Sequence, residues 1–254
     1  MIIKTDTERE GIRQAGKLLG EVLRDVAAHA TVGTSTLELN DRAETLIRAG
    51  GAEPVFLNYV ADGARTPYPA TLCTSVNDEV VHGIPLSRTI LKDGDLVSLD
   101  CGLSLDGFIA DSAVSVIVGK RGDEADAVLL EGTKKALAAG IAAARAGNTT
   151  GDIGHAIEEV AKRYELTVVR DLGGHGTGKL LHEAPYIANF GAKGSGERLV
   201  DGMVLALEPI FTHGSGAIKL SGDGWTYLMR DHARAAHFEH TIIIGAHGAE
   251  IVTK

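Results

Sequence analysis

At 254 residues, 44% hydrophobic and 23% charged, the chain has the composition of an ordinary globular protein, long enough to bury roughly 70–75% of its unfolded surface in one core. A formal net charge of −9 speaks against a general nucleic-acid binder, and the longest strongly apolar stretch, Ala136 to Ala144, is too short to span a bilayer. Its two cysteines, Cys73 and Cys101, speak against a disulfide-stapled exterior fold and for a reducing cytoplasm. The opening Met1-Ile2-Ile3-Lys4-Thr5-Asp6 leads into an acidic amphipathic stretch, not the apolar run of a secretory leader. Asn148-Thr149-Thr150 matches a glycosylation sequon and Arg121-Gly122-Asp123 an adhesion tripeptide. Both need an exterior location that nothing else in the sequence supports.

In chain order, Thr5 to about His29 predicts an amphipathic helix. Thr5-x-x-Glu8 is a capping box, and Ile12, Ala15, Leu19, Val22, Leu23 and Val26 recur on one face. Ser35-x-x-Glu38 opens a second helix, closed near Gly50-Gly51. Residues 70–119 carry strand and hairpin signals. Asp123 to Ala146 predicts an alanine-rich helix, and Asp152 to Tyr164 another, after the turn-like stretch from Gly147 to Gly151. From Leu166 to Val252 strand and turn signals return. Helices then sheet, twice over, is an α+β pattern.

An octet recurs at corresponding places. Asp93-Gly94-Asp95-Leu96-Val97-Ser98-Leu99-Asp100 is echoed by Asp201-Gly202-Met203-Val204-Leu205-Ala206-Leu207-Glu208. Each copy opens on an Asp-Gly turn and reads as a buried strand ending in a carboxylate. An acid there is costly unless paired, and a metal ion is a common partner. The expectation is one domain over 1–254 whose pseudo-repeated halves, roughly 1–120 and 121–254, share one active centre.

The first half can be folded on paper. Asp106-Gly107 is a two-residue hairpin turn, which sets Leu105 opposite Phe108 and Gly102 opposite Asp111. Asp100 and Asp111 then share a face as diagonal neighbours, with β-carbons about 7–8 Å apart, close enough to reach one ion or bridge two. Two anions that close repel unless a cation sits between them. The second half supplies His175 within Gly173-Gly174-His175-Gly176-Thr177-Gly178, then Glu208, then His237-Phe238-Glu239-His240. Glycines on both sides of His175 leave bare backbone around an imidazole, suiting a group that metal and substrate must approach closely. The glycine spacing lacks the full dinucleotide fingerprint, and no P-loop is present. Four acids and a histidine match the oxygen-rich, nitrogen-assisted sites of Mn²⁺, Fe²⁺, Co²⁺ or Zn²⁺.

The segment Cys73-Thr74-Ser75-Val76-Asn77-Asp78-Glu79-Val80-Val81-His82-Gly83-Ile84-Pro85 resembles the signature region of type I methionine aminopeptidases. So do Ser98-Leu99-Asp100-Cys101-Gly102, Ala110-Asp111, Gly174 to Gly178, Leu205-Ala206-Leu207-Glu208-Pro209 and Phe238-Glu239-His240-Thr241, all in family order over nearly the whole chain. The resemblance implies the pita-bread fold: two pseudo-symmetric αβ halves with antiparallel sheet around a dinuclear metal site. It implies Asp100, Asp111, His175, Glu208 and Glu239 as ligands of two divalent ions (Co, Mn, Fe or Zn), with Asp111 and Glu239 bridging. Glu208, His182 and His82 are the implied catalytic residues. His82 and His182 contact substrate, and Cys73, Tyr68 and Trp225 line the methionine pocket. The implied activity is removal of N-terminal methionine from nascent polypeptides, preferring a small second residue, by a cytoplasmic monomer in transient contact with the ribosome. Membrane and sequence-specific nucleic-acid partners are not expected.

The chain departs from the family pattern in a longer, more polar loop from Leu57 to Pro67, in Leu181 and in His237. The alternatives are a proline-specific aminopeptidase on the same fold, or a non-catalytic peptide-binding relative; such relatives lose metal ligands, whereas all five residues stand here. A structural protein with fortuitous acids would leave the histidine set unexplained.

Overall fold

The structure is a computed structural model that describes residues 1–61, 63, 66–120 and 122–254. Asp62, Ala64 and Arg65 of the polar loop, and Arg121 of the Arg121-Gly122-Asp123 tripeptide, lie outside the described residues.

Helices α1 (Asp6–His29), α2 (Thr36–Ala49), α3 (Glu124–Ala143) and α4 (Thr150–Arg163) each begin with a reciprocal capping box, on Thr5 with Glu8, Ser35 with Glu38, Asp123 with Asp126 and Thr149 with Asp152. Such caps satisfy two amide donors that would otherwise be stranded at a helix start, and each N-cap side chain contributes about 1 kcal/mol. Two boundaries differ from expectation. Helix α4 starts at Thr150 rather than Asp152, because Thr149 serves as its cap instead of as a turn residue. Helix α3 stops at Ala143, short of Ala146, where the Asn148 side-chain amide donates to the Ala143 carbonyl at 2.8 Å.

The nine-stranded sheet is antiparallel throughout. Its main path runs through Glu53–Pro54, Leu96–Leu105, Phe108–Ile117, Glu239–Ile244, Val204–Leu207, Gly173–Gly176 and Glu183–Ala188, with Leu72–Val76 and Ala249–Ile251 attached at the sides. The hairpin forms in the expected register, Leu105 facing Phe108 and Gly102 facing Asp111, around Asp106 and Gly107, both of which take positive φ. Both octet glycines also adopt a left-handed backbone, Gly94 at φ 93° and Gly202 at φ 80°. One expectation is corrected: Asp100 lies inside the strand Leu96–Leu105, which continues past it, whereas Glu208 directly follows the strand Val204–Leu207. The octets match in their turns but not in where their strands stop.

Strand alternation sorts the sheet into two faces. Val97, Leu99, Cys101 and Leu103 pack in one core with α1 and α2, while Leu205, Leu207, Ile242 and Ile244 pack in another with α3 and α4. Asp100, Asp111 and Glu239, of the opposite parity, belong to neither core, although Leu96 packs in the second and Val204 and Ile243 meet Ile12 of α1. Cross-strand register places Cys73, Asp100, Ala113 and Glu239 in one transverse row on that second face. A neighbouring row runs from Gly102 through Asp111 to Thr241, which exchanges two hydrogen bonds with the Asp111 backbone, then to Ala206, His175 and Tyr186. No helix among the described residues is long and apolar enough to cross a membrane.

Candidate metal centre

These two rows bring the acids together. The Asp100 and Asp111 carboxyls lie close enough to shift each other's ionisation, and Asp111, His175 and Glu239 each offer a donor atom within 4.8 Å of the others. His175 Nε2 lies 3.8 Å from Asp111 Oδ2 and 3.7 Å from Glu208 Oε1. Its other ring nitrogen, Nδ1, sits 2.9 Å from the Gly176 carbonyl. A carbonyl can only accept, so the neutral ring carries its proton on Nδ1 and turns the Nε2 lone pair toward the carboxylates. The flanking glycines allow this: a β-carbon on Gly174 would come within 2.3 Å of the Ala206 carbonyl oxygen, and one on Gly176 within 2.2 Å of that of Ala184.

The electrostatics are those of anions crowded out of water. Burial pushes Asp100 up to about 7, with the neighbouring Asp111 carboxyl acting the other way. Asp111, Glu208 and Glu239 are driven well above the usual carboxylate range, first by burial and then by neighbouring carboxylates. Burial, helped by His182, holds His175 at about 4; burial and His82 hold His237 at about 3. Asp100 Oδ1, Asp111 Oδ1, Glu239 Oε1 and His237 Nε2 are buried without a hydrogen-bond partner among the described residues. Buried groups of this kind are ordinarily satisfied, and several together need an explanation. Lone pairs converging from carboxylates and a neutral imidazole fit a divalent cation, which would offset the repulsion and occupy the orphaned oxygens.

All ten residues singled out from the sequence line one cavity of about 350 Å³: Asp100, Asp111, His175, Glu208, Glu239, His82, His182, Cys73, Tyr68 and Trp225. Away from the acids its wall is apolar, formed by a cluster that includes Phe56, Tyr68, Cys73, Leu181 and Trp225. Tyr68 stacks edge-on against Trp225 at 5.2 Å and donates its hydroxyl to the Gly83 carbonyl at 2.9 Å, so its polar end is satisfied behind the wall. His82, at φ 59°, turns its ring toward Trp225 and Tyr227, and burial holds it at about 4. His182 stands at the rim, its ring centroid 4.4 Å from that of His175.

The cavity also includes Phe56, Tyr59 and Tyr186, which sequence reasoning did not select. An aromatic residue entering the atypical loop from each direction, Phe56 and Tyr59 on one side and Tyr68 on the other, was the available signal for the first two. His237, noted only as a departure, lies with Nε2 3.6 Å from Glu208 Oε2 and 3.9 Å from Glu239 Oε2.

Comparison with known proteins agrees with this geometry. Residues 10–246 match the model of metallopeptidase family M24. A methionine aminopeptidase of Clostridium acetobutylicum is 42% identical over 253 residues, covering 100% of this chain and 98% of that protein. One from Mycobacterium tuberculosis is 43% identical, covering 97% and 92%. The crystal structure of a Thermotoga maritima methionine aminopeptidase superimposes with a TM-score of 0.94 at 39% identity, each chain covered in full. A Pyrococcus furiosus prolidase shares the fold at TM-score 0.75 and 23% identity, with 65% of its chain covered.

Proposed function

Since the chain belongs to metallopeptidase family M24 and has its pita-bread fold, we propose that it is a methionine aminopeptidase, hydrolysing the bond after an N-terminal methionine. The observation that carries this reading is the joining, in one cavity, of a cation-fitting acid cluster to an apolar pocket. Asp100, Asp111, His175, Glu208 and Glu239 are the residues that would hold two divalent ions. Such ions would polarise the scissile carbonyl and acidify the attacking water.

The chain's own groups do the rest. The pocket of Phe56, Tyr68, Cys73 and Trp225 takes the methionine side chain, its soft and aromatic surfaces suiting an unbranched thioether. Glu208 is the general base, taking a proton from water and passing it to the leaving amine. His182 donates a hydrogen bond to the carbonyl oxygen as it gains negative charge. His82 contacts the scissile amide nitrogen or the residue after methionine. Crowding by His82 and His175 restricts that second residue to small side chains. Nascent polypeptides in the cytoplasm are the assigned substrates, met by a monomer during transient contact with the ribosome.

The test is methionine release from Met-Ala-Ser after chelation and re-addition of Mn²⁺, Fe²⁺, Co²⁺ or Zn²⁺ in turn, with peptides bearing proline second as controls. Metal-dependent release from Met-Ala-Ser supports the reading. Full activity after chelation, or a preference for the proline peptides, overturns it.

A further inference from the structure

We propose that Tyr59 is a positioning residue for His182: its hydroxyl donates to Nδ1 and thereby places the ring proton on Nε2, the nitrogen left to face substrate. The inference rests on the reading of His182 as a donor to the substrate carbonyl.

The Tyr59 hydroxyl lies 2.6 Å from His182 Nδ1, and the two rings meet edge-on with centroids 5.2 Å apart. A neutral imidazole has one N–H and one lone pair, and what its other nitrogen binds decides which is which. At His175 the partner is a carbonyl, which forces the proton onto Nδ1. At His182 the partner is a hydroxyl, which can donate and so leave the proton on Nε2. Two adjacent histidines are thus set in opposite tautomers by different partners: His175 offers a lone pair to the acids, and His182 offers a proton. Both are what the assigned chemistry requires.

Both ends of the contact are held. The Tyr59 amide donates to the Phe56 carbonyl at 2.9 Å, the Asn58 amide to the Tyr68 carbonyl at 2.8 Å and the Tyr68 amide to the Tyr59 carbonyl at 2.8 Å. These bonds tie Tyr59 to Tyr68 and Phe56 and fix its backbone beside the cavity wall. On the other side, Glu183 accepts from the Lys179 and Leu180 amides at 2.8 Å each, shaping the turn that delivers His182, while Leu181 is buried in the cluster that also contacts Tyr59.

Tyr59→Phe keeps the ring and removes only the hydroxyl. It should lower kcat for Met-Ala-Ser by about 10–100-fold, the usual cost of losing a residue that orients a site histidine, with KM and metal content close to wild type. In a His182→Ala background the same change should cost nothing further. Histidine ring ¹⁵N shifts of the zinc-loaded protein give a second readout: His182 should show an unprotonated Nδ1 and a protonated Nε2, with Tyr59→Phe shifting toward a mixture of tautomers. An unchanged kcat, an equal loss with and without His182, or a protonated Nδ1 in the wild type overturns the proposal. If the metal-loaded wild type releases no methionine, the functional reading falls, while the ring shifts still decide the tautomer.

Discussion

The two faces of the central sheet are built from the same strands and have opposite physical characters. On the helix side, Val97, Leu99, Cys101 and Leu103 are fully buried among apolar neighbours, and Leu205, Leu207, Ile242 and Ile244 repeat the arrangement in the second half. On the other face of the same sheet, Asp100, Asp111, His175 and Glu239 are buried as well, but as a neutral imidazole and crowded acids, the acids each with an orphaned oxygen. A period of two lets one segment stabilise the fold with alternate residues and hold chemistry with those between them. Damage to one face should therefore spare what the other does.

The largest expected effect is on the apolar face. Leu99→Ala should cost about 2–5 kcal/mol of stability in denaturant unfolding, while kcat per folded molecule stays at the wild-type value. A large loss of kcat would mean that the faces are not independent. Across the sheet, His182→Ala should lower kcat by about 10²–10³, the cost of one oxyanion donor, with metal content and unfolding midpoint unchanged. A rise in KM alone would make His182 a binding residue only. Within the pocket the effects are smaller. One methylene changes binding by about 1–3 kcal/mol, so norleucine peptides should be cleaved within that range of methionine peptides, and β-branched or charged first residues should not be. Faster turnover of N-terminal leucine than of methionine would remove the assigned specificity.

The smallest effect is a slope. In the metal-free protein, carboxylates with raised pKa keep protons that the unfolded chain has lost, so their contribution to stability is full below the ordinary carboxylate range and declines as pH rises toward the folded value, about 7 for Asp100 and well above the ordinary carboxylate range for Asp111, Glu208 and Glu239. His82, His175, His237 and His240, held neutral at about 3 to 4, act in the opposite sense, adding stability as pH rises to the ordinary histidine value and then levelling off. Above the ordinary histidine value the carboxylates govern. Chelated protein should thus lose thermal stability as pH rises from about 6.5, the ordinary histidine value, toward neutrality, a decline that Leu99→Ala displaces without altering its slope and that bound metal abolishes. A flat or rising profile would contradict the charge state assigned to the acid face.

What the sequence reveals follows the range of the interactions. Caps and hairpin register are local, so Thr5 with Glu8 and Asp106-Gly107 could be read directly, and the hairpin then fixed the shared face of Asp100 and Asp111. The start of α4 was missed because Thr149 suits a turn and a cap equally well. The strand through Asp100 was cut short because an acid looks like an ending when only one face of the sheet is considered. The five assigned ligands were legible because each sits in a distinctive local segment. Tyr59 and His182 meet only after folding, across 123 positions of sequence, and no local pattern marks that pair.

Metal stoichiometry tests the central claim most directly. Wild-type protein reconstituted and desalted should retain divalent metal, and Asp100→Asn should lose some or all of it together with activity. The metal-free variant should remain folded, with a thermal midpoint no lower than that of the metal-free wild type, since one crowded buried acid has become neutral. Unchanged metal content in Asp100→Asn would contradict the assignment of this face as a metal centre.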